Sequence, residues 1–493
     1  RQMLNKIREL EAQARQLDPG REEREAMLER TGDFANGFLD SIPESSSFVH
    51  DEGSEAFSGA HFPEEPSSIA DLVDFFQREV TRTGANPPSD GYLAYVPGGG
   101  VYPSALGDFL ADVTNRYAGV AFAGPGATRM EQALIRWMCE LVGYPESASG
   151  DLTSGGSVAT LSALIAARDA HGIEPSNLAQ QCIYMTSQAH HCIRKALHVA
   201  GLSHVRRRTV PMDDRFRMDA QALQGMIEAD RRDGYQPWLV IASAGTTDTG
   251  AVDPIPELAD IAQRAGAWFH VDAAYGGFFL LCSEGQTILR GIDRADSVVL
   301  DPHKGLSLPF GSGAVLVKDG SRLAQSFSYF ADYLQDAKPE VVHPDSEFSP
   351  ADYSIELTRP FRGPRMWFPL KLFGLGAYRA SLEEKIWLAR YFHREIARIP
   401  GFEAGPEPDL SIVTYRYLPR NGDADDFNRR LVEAVLRDGR VFISSTRIDG
   451  RFILRLAVLH FRTHLETIDY LLEFLQTKTE ELERLAAAGP EPE

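Results

Sequence analysis

Along the first forty residues, apolar positions recur at helical spacing. Met3, Leu4, Ile7 and Leu10 share one face, and Asp18-Pro19-Gly20 interrupts the pattern. Two charged amphipathic helices are expected there, followed by a polar stretch rich in Ser, Glu and Pro at about 41–68. Such an arm has little core of its own and is expected to pack on something else, such as a second subunit. From about 100 to 380 the pattern changes. CIYMT (Cys182–Thr186), WLVIAS (Trp238–Ser243), WFHVDAA (Trp268–Ala274) and SVVLD (Ser297–Asp301) are short apolar runs closed by small or polar residues. They alternate with helical patterns such as Pro256–Gly266. Strands alternating with helices predict an α/β fold with a mostly parallel sheet, whose ligands bind beyond the carboxyl ends of the strands. The tail reads differently. SIVTYRYL and RFILRLAVLHF are strand-like, DFNRRLVEAVLRDG is helical, and a long amphipathic helix ends the chain. The expected organisation is a helical arm over 1–100, a large domain over 101–380 and a small α+β domain over 381–493.

Composition narrows the function. The 493 residues are 43% hydrophobic and 24% charged, which is ordinary for a globular protein. A formal net charge of −20 argues against nucleic acid or an anionic membrane as the main partner. The run Arg206-Arg207-Arg208 is too short to reverse that and is expected on a solvated face. The four cysteines form no CxxC pair, so no zinc site or disulfide framework is expected. No apolar run is long enough to span a membrane. The opening residues lack a signal-peptide core, and the expected location is cytoplasmic.

Five stretches carry the candidate chemistry. In LTSGGSVATLSALIAAR (Leu152–Arg168) small residues turn the chain and a helix begins near Ser157. Its exposed amides and positive dipole end suit a phosphate, although the P-loop lysine is missing and a simple capped turn would look the same. In TSQAHHCIRKAL (Thr186–Leu197), His190 and His191 stand where a strand gives way to a helix. Adjacent side chains on a helix diverge, so a metal site there is not expected. A histidine at that point could stack on a flat ring or simply cap the helix. ASAGTTDTGAVDPI (Ala242–Ile255) offers the Thr246 and Thr247 hydroxyls at a strand end. HVDAAYGG (His270–Gly277) sets Asp272 in an apolar run, where a carboxylate needs a cation or strong donor. Either a protonated pyridine nitrogen or an arginine would serve. Finally, Asp301-Pro302-His303-Lys304 places a lysine just past a strand, where it suits a Schiff base. Together these parts fit pyridoxal 5′-phosphate (PLP), for which the protein chooses the bond that breaks.

At this point the chain resembles the group II PLP-dependent amino acid decarboxylases, the aromatic amino acid enzymes above all. The resemblance runs from about Gly91 to the C-terminus through AYVPGGGVYP, TSGGSVAT, SQAHHC, SAGTTDTG, HVDAAYGG, DPHKG and FRGPRMWF. It implies fold type I, the aspartate aminotransferase-like fold, with a seven-stranded sheet and a homodimer whose sites lie at the subunit interface. By the same resemblance Lys304 carries the cofactor, Asp272 partners the pyridine nitrogen and His190 stacks on the ring. Gly155, Gly156 and Ser157 match the phosphate loop, and Thr247, Ala274 and His303 match cofactor contacts. Asp301 stands where the aromatic enzymes have Asn beside the phosphate. A carboxylate there is unfavourable unless protonated, turned away or bridged.

Tyr333, in SFSYFADYLQD, aligns with the family's mobile-loop tyrosine, a proton donor to the carbanion carbon. Related plant aldehyde synthases have Phe there. Tyr95, Gly98, Tyr117 and Gly119 align with the substrate pocket. Gly98 replaces a Thr, Gly119 a Phe and Tyr117 an Ile, so the pocket is expected to be larger. The implied reaction is α-decarboxylation of an L-amino acid, aromatic by preference. A non-aromatic substrate, oxidative deamination, transamination and carbon–sulfur lysis are the alternatives.

Overall fold

The computed structural model describes residues 1–493 except 59–61, 63, 97, 330–347 and 489–493. Tyr333 therefore lies outside the described residues. In the arm, helices Gln2–Ala14, Arg21–Ser41 and Ile69–Glu79 bury none of their residues within the protomer. The third of these was not expected from the polar run before it. A short ribbon pairs β1 (Phe48–Val49) with β2 (Gly84–Ala85).

Seven strands form the large sheet: β3 (Ser149–Thr153), β4 (Gln181–Met185), β5 (Arg206–Thr209), β6 (Gln236–Ser243), β7 (Trp268–Asp272), β8 (Ser297–Leu300) and β9 (Gly313–Val317). Their order is β3-β9-β8-β7-β6-β4-β5. Only β9 runs against the others, pairing antiparallel with β3 and β8. Helices cover both faces, so the central strands are apolar on both sides, as parallel strands must be. Val240, Val271, Val298 and Leu316 face one core, while Leu239, Ile241, Val299 and Val315 face the other.

The arginine run is not simply a solvated face. It forms edge strand β5, and Arg206 and Arg208 both approach the buried Asp230, at 3.7 and 3.1 Å. Arg207 points outward, and a cationic edge resists pairing with another sheet.

The C-terminal sheet is antiparallel. Its strands β10 (Phe402–Ala404), β11 (Ile412–Tyr417), β12 (Ser444–Ile448) and β13 (Arg451–Ala457) lie in the order β10-β11-β13-β12. Helices Ala424–Asp438 and Leu465–Ala488 pack on it. The long helix Gly363–Ile396 breaks at Gly374, where φ is +70°, and its second half enters this same core through Leu388, Phe392 and Ile396. The expected boundary at 380 falls within that second half. Leu93, from the end of the arm, is also buried in the C-terminal core, and its amide donates to the Phe442 carbonyl.

Candidate active site

The carboxyl ends of β6, β7 and β8 and the turn after β3 open onto one cleft of about 270 Å³, near the small end of ligand pockets, which run roughly 300–1,000 Å³. The structure brings Gly155, Gly156, Ser157, His190, Thr247, Asp272, Ala274, Asp301, His303 and Lys304 together around it. These residues span 150 positions of sequence. The parallel sheet assembles them because each follows the same end of a strand.

On one wall, the helix Gly156–Ala170 begins at the cleft. Its first amides have no partner one turn back and carry the positive end of the helix dipole. Gly155 reaches this turn at φ +157°, a conformation open to glycine. Lys304 lies in the short helical turn Pro302–Gly305 directly after β8. Its Nζ is 3.3 Å from Asp301 Oδ2. Burial pushes the Asp301 carboxyl up to about 6, against the pull of the Lys304 ammonium. Asp301 Oδ1 is buried without a hydrogen-bond partner among the described residues.

His303 Nδ1 accepts the Ser312 amide N–H at 3.1 Å, which leaves any ring proton on Nε2. Burial lowers its pKa to about 4, so the ring is neutral. His190 is arranged in the same way. Its Nδ1 accepts the Cys192 amide at 3.2 Å, and burial lowers its pKa against the opposing charge of Asp272. Asp272 ends β7, and its Oδ1 accepts the Ala274 amide at 3.1 Å, which fixes the rotation of the carboxylate. Two residues earlier on the same face, His270 is fully buried against the Ser297 hydroxyl and is held neutral by burial, with a pKa near about 4.

The four substrate-pocket candidates sit differently. Gly98 is buried beside the site, since a methyl group on it would lie 3.1 Å from Ser307 Oγ and 3.5 Å from the Lys304 carbonyl. None of the four, Gly98 included, is among the residues that line this cleft. Tyr95 is half exposed and packs edge-on against Phe442. Gly119 lies under the Leu357 carbonyl, next to the Tyr117 ring.

The structure adds residues that sequence reading passed over. Ser154, Thr160, Cys192, Ser243 and Tyr275 also line the cleft, beside the Thr246 already singled out. Arg455, on β13, is buried and donates to the carbonyls of Thr247, Asp248 and Ala94. The Tyr275 hydroxyl meets Ser411 Oγ at 2.6 Å. Both contacts bind the C-terminal sheet to the cleft wall. Only the position of Arg455 within the apolar run FILRLAVL could have drawn attention to it.

A further network lies behind the phosphate turn. The fully buried Arg359 pairs with Glu131 and, at 3.3 Å, with Asp151, and donates to the Leu152 carbonyl at 2.7 Å. Leu152 leads directly into Thr153-Ser154-Gly155.

An amine at a strand end, a helix amino terminus for an anion, a fixed carboxylate and a neutral imidazole make up the polar complement that PLP requires. On this sheet they define a fold type I PLP enzyme. Comparisons with known proteins agree. The model of the pyridoxal-dependent decarboxylase conserved domain matches residues 54–418. The chain is 33% identical to an aromatic-L-amino-acid decarboxylase of Bacillus atrophaeus, over 85% of this chain and 87% of that one. It is 31% identical to human histidine decarboxylase, over 80% of this chain and 61% of that protein. The crystal structure of Oryza sativa TDC with PLP and tryptamine superposes with a TM-score of 0.89 at 25% identity, covering 94% of this chain and 99% of that chain. The protein belongs to the pyridoxal-dependent decarboxylase family. It is a PLP-dependent carboxy-lyase that acts on an amino acid.

Proposed function

We propose that the substrate is an aromatic L-amino acid, released as its amine and CO2. The likeness to an aromatic-L-amino-acid decarboxylase along most of the chain is the observation that carries this reading. Relatives named for histidine mark the nearest alternative.

When bound, PLP supplies an electron sink for the pair left as the carboxylate departs. The protein does the rest. Lys304 offers the amine that holds the cofactor and later releases the product. The helix terminus at Gly155–Ser157 seats the phosphate. Asp272 keeps a proton on the ring nitrogen, which a fixed carboxylate at that depth favours. His190 covers one face of the ring, and Thr247 and Ala274 bound the other side of the cleft. Tyr333 returns a proton to the substrate carbon.

The protein works as a homodimer in the cytoplasm. The arm supports the dimer, since Met3, Leu4, Ile7 and Leu10 are all at least half exposed on one helix. So large an unpartnered apolar stripe calls for a second surface. Four unpaired cysteines accord with a reducing compartment.

The test is incubation of the protein and PLP with a pool of amino acids, read by mass spectrometry. Tryptamine, tyramine or phenethylamine is the expected product. Histamine or an aliphatic amine as the dominant product would overturn the aromatic assignment. Aldehyde or keto acid would overturn the reaction.

A further inference from the structure

Asp301 occupies ground that an anion should hold. It follows β8, is 2% exposed, and lies against Gly156, the first residue of the helix at the cleft. A methyl group on Gly156 would lie 2.8 Å from Asp301 Oδ2, so only glycine admits the carboxyl at this distance. A protein carboxyl therefore already stands against the turn where a cofactor phosphate would sit.

Among the described residues, the groups facing Asp301 give it one cation. Lys304 Nζ is 3.3 Å from Oδ2. His303 Nε2 is 3.6 Å away, but burial keeps that ring neutral. Asp272 adds a repelling charge, and burial pushes the Cys192 thiol up to about 12, so it carries none. Cofactor binding would weaken the support and add a load. Lys304 Nζ would condense with the aldehyde, releasing water, and any charge left on that nitrogen would be shared with the cofactor and no longer held at Asp301 alone. A phosphate bearing up to two charges arrives at the same helix terminus. An ionised Asp301 would face it across a buried site, where like charges are screened least.

We propose that Asp301 is a positioning residue that receives the cofactor phosphate as the neutral acid, so that one proton enters from solvent with the cofactor and affinity falls as pH rises. Its O–H then donates where an ionised carboxyl could only repel, and Oδ1, unpartnered among the described residues, gains a partner. This rests on the cleft being the PLP site.

The test compares wild type with Asp301→Asn, after removal of bound cofactor. PLP affinity is followed by tryptophan fluorescence and by cofactor absorbance from pH 5.5 to 8.5. The ratio of wild-type to variant dissociation constants should rise about tenfold per pH unit above about 6, as one linked proton requires. Calorimetry in two buffers of different ionisation heat should show wild type taking up about one more proton than the variant at pH 8. Pyridoxal, which has the aldehyde but no phosphate, should show neither difference. Asp301→Ser provides the same comparison should the asparagine variant fold poorly. Parallel pH profiles for wild type and variant would overturn the role of Asp301 and leave the site intact. Failure of wild type to bind PLP at any pH would overturn the site itself.

Discussion

Replacing Arg359 with methionine tests how the phosphate turn is held. In the wild type, Arg359 is the cation shared by Glu131 and Asp151, all three being shut away from water. Burial raises both carboxyls, Asp151 to about 7, while Arg359 opposes the rise. Methionine fills similar volume but strands two buried acids. Breaking a buried pair from one side costs about 3–5 kcal/mol, because the remaining charge is uncompensated.

The sign with pH follows from the same groups. A carboxyl raised by folding binds its proton more tightly in the native state, so it supports stability at low pH and withdraws that support as pH climbs through the raised value. Each proton contributes about 1.4 kcal/mol per pH unit across that window. In the wild type the window for Asp151 runs from its ordinary value, 3.8, to about 7. In Arg359→Met both acids must be protonated to remain buried, so the slope approaches twice that of a single group. The variant should therefore lose little at pH 5 and most at pH 8. Urea unfolding at both pH values, followed by circular dichroism, measures this. Adding Glu131→Gln to Arg359→Met should recover part of the loss at pH 8. An equal loss at both pH values would refute the reasoning, since the penalty would then be packing and not charge.

Three shorter tests address the site. Lys304→Ala should abolish the visible absorbance of bound cofactor and reduce turnover by several orders of magnitude, and retained turnover would remove the central role given to this lysine. Tyr333→Phe should lower amine yield and produce aldehyde with oxygen uptake, so an unchanged product in an oxygen-electrode assay would dismiss the tyrosine as proton donor. Gly276→Ala should destabilise the fold by about 2–4 kcal/mol, because the new methyl would overlap the Ala244 carbonyl at the end of β6, a rigid backbone contact. A melting temperature within one or two degrees of wild type would show that the backbone can yield there.

Periodicity alone exposed the four central strands of the sheet, because strands buried on both faces read as unbroken apolar runs. It did not expose β3, β5 or β9. SGDLT is small and polar, and RRRT looks solvated until Asp230 is seen behind it. GAVLV is apolar, but the loop GLSLPFGS before it carries apolar residues of its own and blurs where the strand begins. Strands β10 and β12 were missed for a related reason, since one is three residues long and the other, SSTRI, has a mostly polar face. The cleft was more legible than the sheet. Its chemistry demands particular residue types at strand ends, and those types stand out against apolar runs. What sequence could not supply was contact between residues far apart along the chain. Nothing local to Arg455 says that its partners are the carbonyls of Thr247 and Asp248, and nothing local to Arg359 names Glu131.

The C-terminal sheet is coupled to the cleft by more than proximity. Arg455 grips the Thr247–Asp248 loop, Tyr275 meets Ser411, and the helix after Gly374 carries the chain from one core to the other. The two halves therefore share one set of fastenings and are not modules in the engineer's sense. A chimera that exchanged everything after residue 380 for a relative's C-terminal region would carry foreign partners to the cofactor wall. Any change of substrate preference would then arrive mixed with loosened cofactor retention. Redesign of this protein is better confined to side chains of the cleft wall that take no part in those fastenings.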